Sequence, residues 1–154
     1  MEEIKRIALV AHDNRKKDLA EWVEWNWEKL SPHQLICTGT TGQMVEETLR
    51  KRVEGDALLD IVKLKSGPLG GDQQLGAYIC EGKIDLMVFF WDPMQPQPHD
   101  VDVKALLRIT VLYNVPTACN RATADFIISS ELFNTEYQRT IKDYSYYLKR
   151  QINV

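Results

Sequence analysis

Cysteine is scarce in this chain of 154 residues. Cys37, Cys80 and Cys119 are odd in number and form no Cys-x-x-Cys pair, which argues against both a disulfide framework and a zinc knuckle. The cytosol, where thiols stay reduced, is the expected compartment. Long apolar runs are also missing. The most apolar stretch, Ile84 to Trp91, falls far short of the roughly 20 residues that cross a bilayer, so no membrane partner is expected. The opening MEEIKRIALVAHD begins too acidic, and its apolar run is too short, for a secretory signal. There is no basic stripe. Net charge is −3 with Lys and Arg spread along the chain, which argues against nucleic acid as a partner but leaves room for a local basic pocket. Neither a Walker motif nor Gly-x-Gly-x-x-Gly occurs, which disfavours nucleoside triphosphates and dinucleotides. Without linkers, repeats or low-complexity tracts, the length suits one domain over 1–154.

The composition is that of an ordinary globular protein, 44% hydrophobic and 27% charged. Short apolar runs alternate with amphipathic segments, which predicts an α/β fold of three layers around a mainly parallel sheet of about five strands. Ile7 to Ala11 is continuously apolar, as a central strand covered on both faces must be. Leu19, Trp22, Val23, Trp27 and Leu30 recur at helical spacing and predict a helix over 14–30. Further strands are expected at Leu35 to Cys37, Leu58 to Leu64, Ile84 to Phe90 and Val115 to Cys119. Helices are expected from Met44 to Arg52, Gln73 to Glu81, around Val103 to Thr110 and from Ala122 to Ile128. Asp92 to Asp100 carries three prolines and reads as an ordered loop. The spacing of Tyr137, Ile141, Tyr144, Leu148 and Ile152 predicts a closing helix, with 138–142 as an alternative extended piece.

Open parallel sheets bind ligands beyond the carboxyl ends of their strands. The unusual residues follow the predicted strands: His12 and Asp13, Thr38 to Gly42, Ser66 to Asp72, Asp92 with His99 and Asp102, and Asn120 with Arg121. Thr38-Gly39-Thr40-Thr41-Gly42 at a helix start offers backbone N–H groups, hydroxyls and a positive helix end to a phosphate. The same residues also suit a plain helix cap. SGPLGGDQQ is a constrained loop of close approach, and its Asp72 reads either as a capping residue or as a general base. His12 and His99 are structural hydrogen bonders or, for His99 in its proline-stiffened loop, a proton carrier and oxyanion donor. His12, Asp13 and His99 match no metal-binding spacing, so neither a metal nor an organic cofactor is expected. Lys16 is placed to add positive charge to the rim or to sit solvated. Trp22, Trp25 and Trp27 read as core or subunit contact.

Six segments together resemble the methylglyoxal synthase family over nearly the whole chain. They are VAHD at 10–13, TGTTG at 38–42, SGPLGGDQQLGA at 66–77, FFWDP at 89–93, PHDVDVKALLR at 98–108 and ATADFII at 122–128. The stretch from Gly42 to Ser66 is longer than is usual in the family, with the surplus around Glu54 to Lys65. The resemblance implies a cytosolic homohexamer, inhibited by phosphate and serving a bypass of glycolysis. It also implies a reaction, the conversion of dihydroxyacetone phosphate to methylglyoxal and inorganic phosphate. Residue by residue, it implies that Asp72 is the base and that His99 contacts the substrate oxygens and moves protons. His12, Lys16, Thr38, Gly39, Thr40, Thr41, Ser66 and Gly67 then hold substrate and phosphate. Asp13, Asp92 and Asp102 are further acidic residues of the site, and Arg150 reaches the phosphate of a neighbouring subunit. A non-catalytic effector-binding module of the same fold and a phosphosugar isomerase are the alternatives.

Overall fold

In the computed structural model, residues 1–55 and 58–149 are described. Five strands form one sheet: β1 (Arg6–Ala11), β2 (Gln34–Thr38), β3 (Ile61–Leu64), β4 (Leu86–Phe90) and β5 (Thr117–Ala118). Their order is β3-β2-β1-β4-β5 and every pair is parallel. The helices are α1 (Lys16–Trp25), α2 (Trp27–Leu30), α3 (Gly39–Arg50), α4 (Gly71–Cys80), α5 (Asp100–Leu112), α6 (Arg121–Ser129) and α7 (Ser145–Leu148).

Period-two side chains explain the three layers. Ile7, Leu9 and Ala11 of β1 point to one core, with Leu19 and Trp22 of α1, Val45 and Leu49 of α3 and Ala124 and Ile128 of α6. Ala8 and Val10 point to the other, with Leu75 and Ile79 of α4 and Val103 and Leu106 of α5. Each large apolar side chain buried in this way contributes about 1.5–3 kcal/mol. The chain winds outward from β1 through β2 to β3, then returns to build β4 and β5 on the other side. The winding therefore changes direction between β1 and β4, and a crevice opens there at the carboxyl ends.

Three expectations need correction. Residues 14–30 are not one helix: a 3-10 turn at Asp13–Arg15 precedes α1, and Asn26 breaks the run by turning its side-chain amide back onto the Trp22 carbonyl. Helix α3 begins five residues earlier than the apolar spacing implied, so TGTTG is the helix's own first turn, with Thr38 as N-cap. The C-terminal periodicity does not produce a closing helix: within the described residues only Ser145–Leu148 is helical. Instead, Tyr137 and Met1 exchange backbone hydrogen bonds, and Ile141 and Leu148 are exposed. A helical stripe with no surface to bury gains too little from packing to hold a helix.

Candidate active site

The crevice holds one pocket built from four strand ends. His12 follows β1, the first turn of α3 follows β2, Ser66 to Asp72 follows β3, and Gln97 and His99 come from the loop after β4. Of the residues expected on sequence grounds, His12, Asp13, Lys16, Thr38, Gly39, Thr40, Thr41, Ser66, Gly67, Asp72 and His99 line it together.

Close approach between two glycine-rich turns makes the cradle. Gly39 has φ +46°, and a Cβ there would lie 2.7 Å from the Ser66 Cβ, so only glycine lets the α3 start meet the β3 loop. On Gly67 a Cβ would stand 2.9 Å from His99 Nε2 and 3.2 Å from Asp72 Oδ2. The Lys65 peptide ties these pieces together, since its N–H donates to Gln74 Oε1 at 2.8 Å while its carbonyl accepts from Gly39. Lys16, at the N-terminus of α1, holds Asp13 Oδ1 at 2.6 Å and also donates to the Thr40 hydroxyl, so its ammonium stands over the α3 start. The start of α3, its threonine hydroxyls and an ammonium thus face one volume, an arrangement suited to a phosphate dianion.

Beside the cradle sits a carboxylate with one buried oxygen that has no hydrogen bond. Asp72 lies in the first turn of α4, but Gly70 takes the N-cap position and no side chain caps the helix, so the capping reading fails. Its side chain is 4% exposed, and Oδ2 has no hydrogen-bond partner. His99 Nε2 stands 3.5 Å from that oxygen, and His99 Nδ1 is also buried without a partner. Burial pushes the Asp72 carboxyl above its ordinary value; His99 opposes this and Asp102 adds to it. An underprovided carboxylate in a dry pocket is a strong base toward a bound carbon acid.

The remaining acidic residues divide. Asp13 lines the mouth with its carboxylate turned to solvent, held below the usual range by Lys16. Asp92 and Asp102 do not line the pocket. Asp92 accepts from Asn14 Nδ2 at 2.9 Å and from Met94 N–H at 3.0 Å, which hold its carboxyl low. Asp102 is in the first turn of α5, behind Asp72. Asn120 and Arg121, expected on the same rim, stand outside it: Asn120 caps α6 through Thr123 N–H, and Arg121 reaches Glu21 at 3.5 Å. Among the tryptophans, Trp22 is core and Trp25 is exposed. Arg150 lies outside the described residues. Pro68, within the expected Ser66 to Asp72 turn, also lines the pocket, as do Gln97, Val10, Ala11 and Phe89, which were not anticipated as site residues. Val10, Ala11 and Phe89 were findable as residues at the carboxyl ends of their strands, whereas nothing in the proline-rich loop marks Gln97. Among the described residues, no group of three His, Cys, Asp or Glu is placed to hold a metal ion, and no helix is long and apolar enough to cross a membrane.

The fold is a doubly wound sheet with its pocket at the switch point, and a family model described as MGS-like domain matches residues 18–119. The chain is 58% identical to a methylglyoxal synthase of Maridesulfovibrio salexigens, over 99% of this chain and 100% of the other. With a methylglyoxal synthase of Leptospira interrogans it shares 54% identity over 96% of this chain and 94% of that one. The crystal structure of methylglyoxal synthase from Elizabethkingia anophelis NUHP1 superposes with a TM-score of 0.88 at 53% identity, covering 99% of this chain and 95% of that chain. The chain belongs to the methylglyoxal synthase family of enzymes.

Proposed function

We propose that this protein converts dihydroxyacetone phosphate to methylglyoxal and inorganic phosphate, as one domain over 1–154. The observation that carries this reading is the Asp72 carboxylate, buried with its Oδ2 unpartnered, one close-packed glycine away from the phosphate cradle. Asp72 takes a proton from the hydroxymethyl carbon, and the electron pair passes to the carbonyl oxygen to give an enediolate. His99 and His12 lie beside Asp72 to donate to its oxygens. The proton of the neighbouring hydroxyl passes to the former carbonyl oxygen by way of His99. The electron pair left on the hydroxyl oxygen closes the aldehyde C=O, the double bond shifts toward the phosphate-bearing carbon, and the C–O bond to the phosphate breaks with its electron pair leaving on oxygen. The resulting enol takes up a proton at its terminal carbon and gives up its hydroxyl proton to become methylglyoxal. Elimination needs that C–O bond perpendicular to the enediolate plane. The cradle of Lys16, Thr38, Gly39, Thr40, Thr41, Ser66 and Gly67 holds the phosphate in that orientation, an effect worth several kcal/mol of barrier. Donors to the departing phosphate strengthen as its charge grows, so they act on the transition state.

In this reading the enzyme needs neither metal nor organic cofactor, and inorganic phosphate, as product, competes for the cradle. We place it in the cytoplasm as a homohexamer subject to allosteric inhibition by phosphate, with Arg150 reaching a neighbour's site; family resemblance supports this part. The decisive assay supplies dihydroxyacetone phosphate in excess chelator and measures phosphate and trapped dicarbonyl together. Equal amounts of both are expected. Glyceraldehyde 3-phosphate with no free phosphate would make the protein an isomerase, and phosphate binding without turnover would make it an effector-binding module.

A further inference from the structure

The two histidines of the pocket are held in different ways, and the difference assigns them different tasks. His12 Nδ1 accepts a hydrogen bond from the backbone N–H of Asp92 at 3.2 Å. A backbone amide only donates, so Nδ1 must present its lone pair. The proton of the neutral ring is then on Nε2, which is buried and has no partner in the protein. An imidazolium here would set an Nδ1–H against the Asp92 N–H, two donors head to head. The ring is packed on edge against Phe89 at 5.2 Å between centroids and lies 6.0 Å from the His99 ring, so neither tilt nor rotation is free. The Asp92 amide is itself held: the Asp92 carboxylate accepts from Met94 N–H within its own turn and from Asn14 Nδ2, one residue beyond Asp13. His99 has no such anchor. Its Nδ1 is unpartnered and its Nε2 faces only the Asp72 carboxylate, at 3.5 Å, so no backbone group fixes its tautomer. Asp72, Asp92, Asp100 and Asp13 are the carboxylates near the His12 ring, with His99 and the Lys16 ammonium the other titratable groups of the pocket.

We propose that Asp92 is a positioning residue that locks His12 as its neutral Nε2–H tautomer, making His12 a fixed hydrogen-bond donor to the substrate oxygens and leaving proton movement to His99. The inference rests on the lyase reading and deepens it. A donor that never ionises stabilises the enediolate without protonating it, so the intermediate keeps the electron density needed to expel phosphate. A ring free to change tautomer can carry a proton from one oxygen to the other.

Nitrogen-15 spectra of histidine-labelled protein, with His12→Gln used for assignment, read the tautomers directly. At assay pH, with and without inorganic phosphate, His12 is expected to show a protonated Nε2 and a lone-pair Nδ1, and His99 an averaged pattern. A protonated Nδ1 or an imidazolium at His12 overturns the proposal. Asp92→Ala is expected to give a mixture of His12 tautomers and to lower kcat roughly 10- to 100-fold, as loss of a histidine's orienting partner does, with KM and phosphate affinity within about twofold. Asp92→Asn keeps an oxygen for the Met94 amide and should restore a single tautomer and most of kcat. Loss of turnover in Asp92→Ala with the His12 tautomer unchanged would make Asp92 structural only and would also overturn the proposal. If Asp92→Ala does not fold, Asn14→Ala removes one of the two contacts and should give the same changes in smaller measure; an unchanged tautomer with reduced kcat again counts against the lock. A wild-type protein that makes no methylglyoxal yet shows the expected His12 tautomer would remove the lyase reading and leave the lock standing.

Discussion

Two buried aspartates occupy opposite ends of one sheet, and the protein treats them in opposite ways. Asp85, 1% exposed, precedes β4 at the amino end. It accepts from the Arg6 backbone N–H at 2.9 Å and from the Arg6 guanidinium at 3.0 and 3.1 Å. Burial alone would push its carboxyl up, but the hydrogen bonds and charge of Arg6 outweigh this and hold it below the ordinary value. Asp72, 4% exposed, stands at the carboxyl end with one oxygen unpartnered and its carboxyl pushed up. Burial is therefore common to both, and the supply of donors separates them. A satisfied carboxylate fastens a strand end, whereas an unsatisfied one keeps its basicity for a ligand.

The comparison can be broken or sharpened by four measurements. The largest effect belongs to Asp72→Asn, which is expected to lower turnover by about 10³-fold or more, since it removes the base. The same change should raise the melting temperature at pH 7. A carboxyl whose folded pKa lies above its unfolded value favours folding below the unfolded pKa and loses that advantage as pH rises through the folded one. Ionised Asp72 is thus a cost at neutral pH, and a lower melting temperature for the asparagine variant would contradict its isolation. Turnover in the wild type should likewise fall in acid, with the limb above the ordinary carboxylate range of about 3.9.

Next comes Gly67→Ala, whose Cβ would stand 2.9 Å from His99 Nε2. Displacing the pair by a fraction of an ångström is expected to reduce kcat roughly 10²-fold while the far-ultraviolet spectrum stays unchanged. Lys16→Met should act on binding more than on chemistry. Loss of a charge-assisted contact of about 1.5–3 kcal/mol predicts a KM at least about tenfold higher and matching relief of phosphate inhibition. Asp85→Asn touches only stability. It leaves Arg6 without its counter-charge and should cost about 2–3 kcal/mol in urea unfolding, less than a fully buried pair because the Arg6 side chain is 38% exposed and partly screened. The folded enzyme should turn over normally. The wild-type contribution of Asp85 is present above the unfolded pKa and disappears as pH falls through the depressed folded one, so the two proteins should converge in strong acid.

The site was legible where chemistry depends on residue type and strand ends. Eleven of the expected residues, from His12 and Lys16 to Asp72 and His99, share one pocket because each follows a parallel strand, and parallel strands end on one side. Asn120 obeyed the same rule and still fell outside, since β5 is an edge strand and its turn was used to cap α6. Asp92 and Asp102 also follow β4, yet they serve behind the pocket wall. Their acidity was visible in the sequence, but the direction of their side chains was not.

What the sequence determined by itself was local: apolar runs that must be covered on both faces, glycines where backbones meet, and turns able to hold an anion. These follow from sterics and from the hydrophobic pattern within a few residues. Only the tertiary structure decided which buried polar atoms go without partners. It withheld donors from Asp72, brought the Asp92 amide to His12 across 80 residues, and left the Tyr137 to Leu148 periodicity without a surface to pack on. Hydrogen-bond satisfaction and burial depend on neighbours distant in the chain, and no spacing along it encodes them.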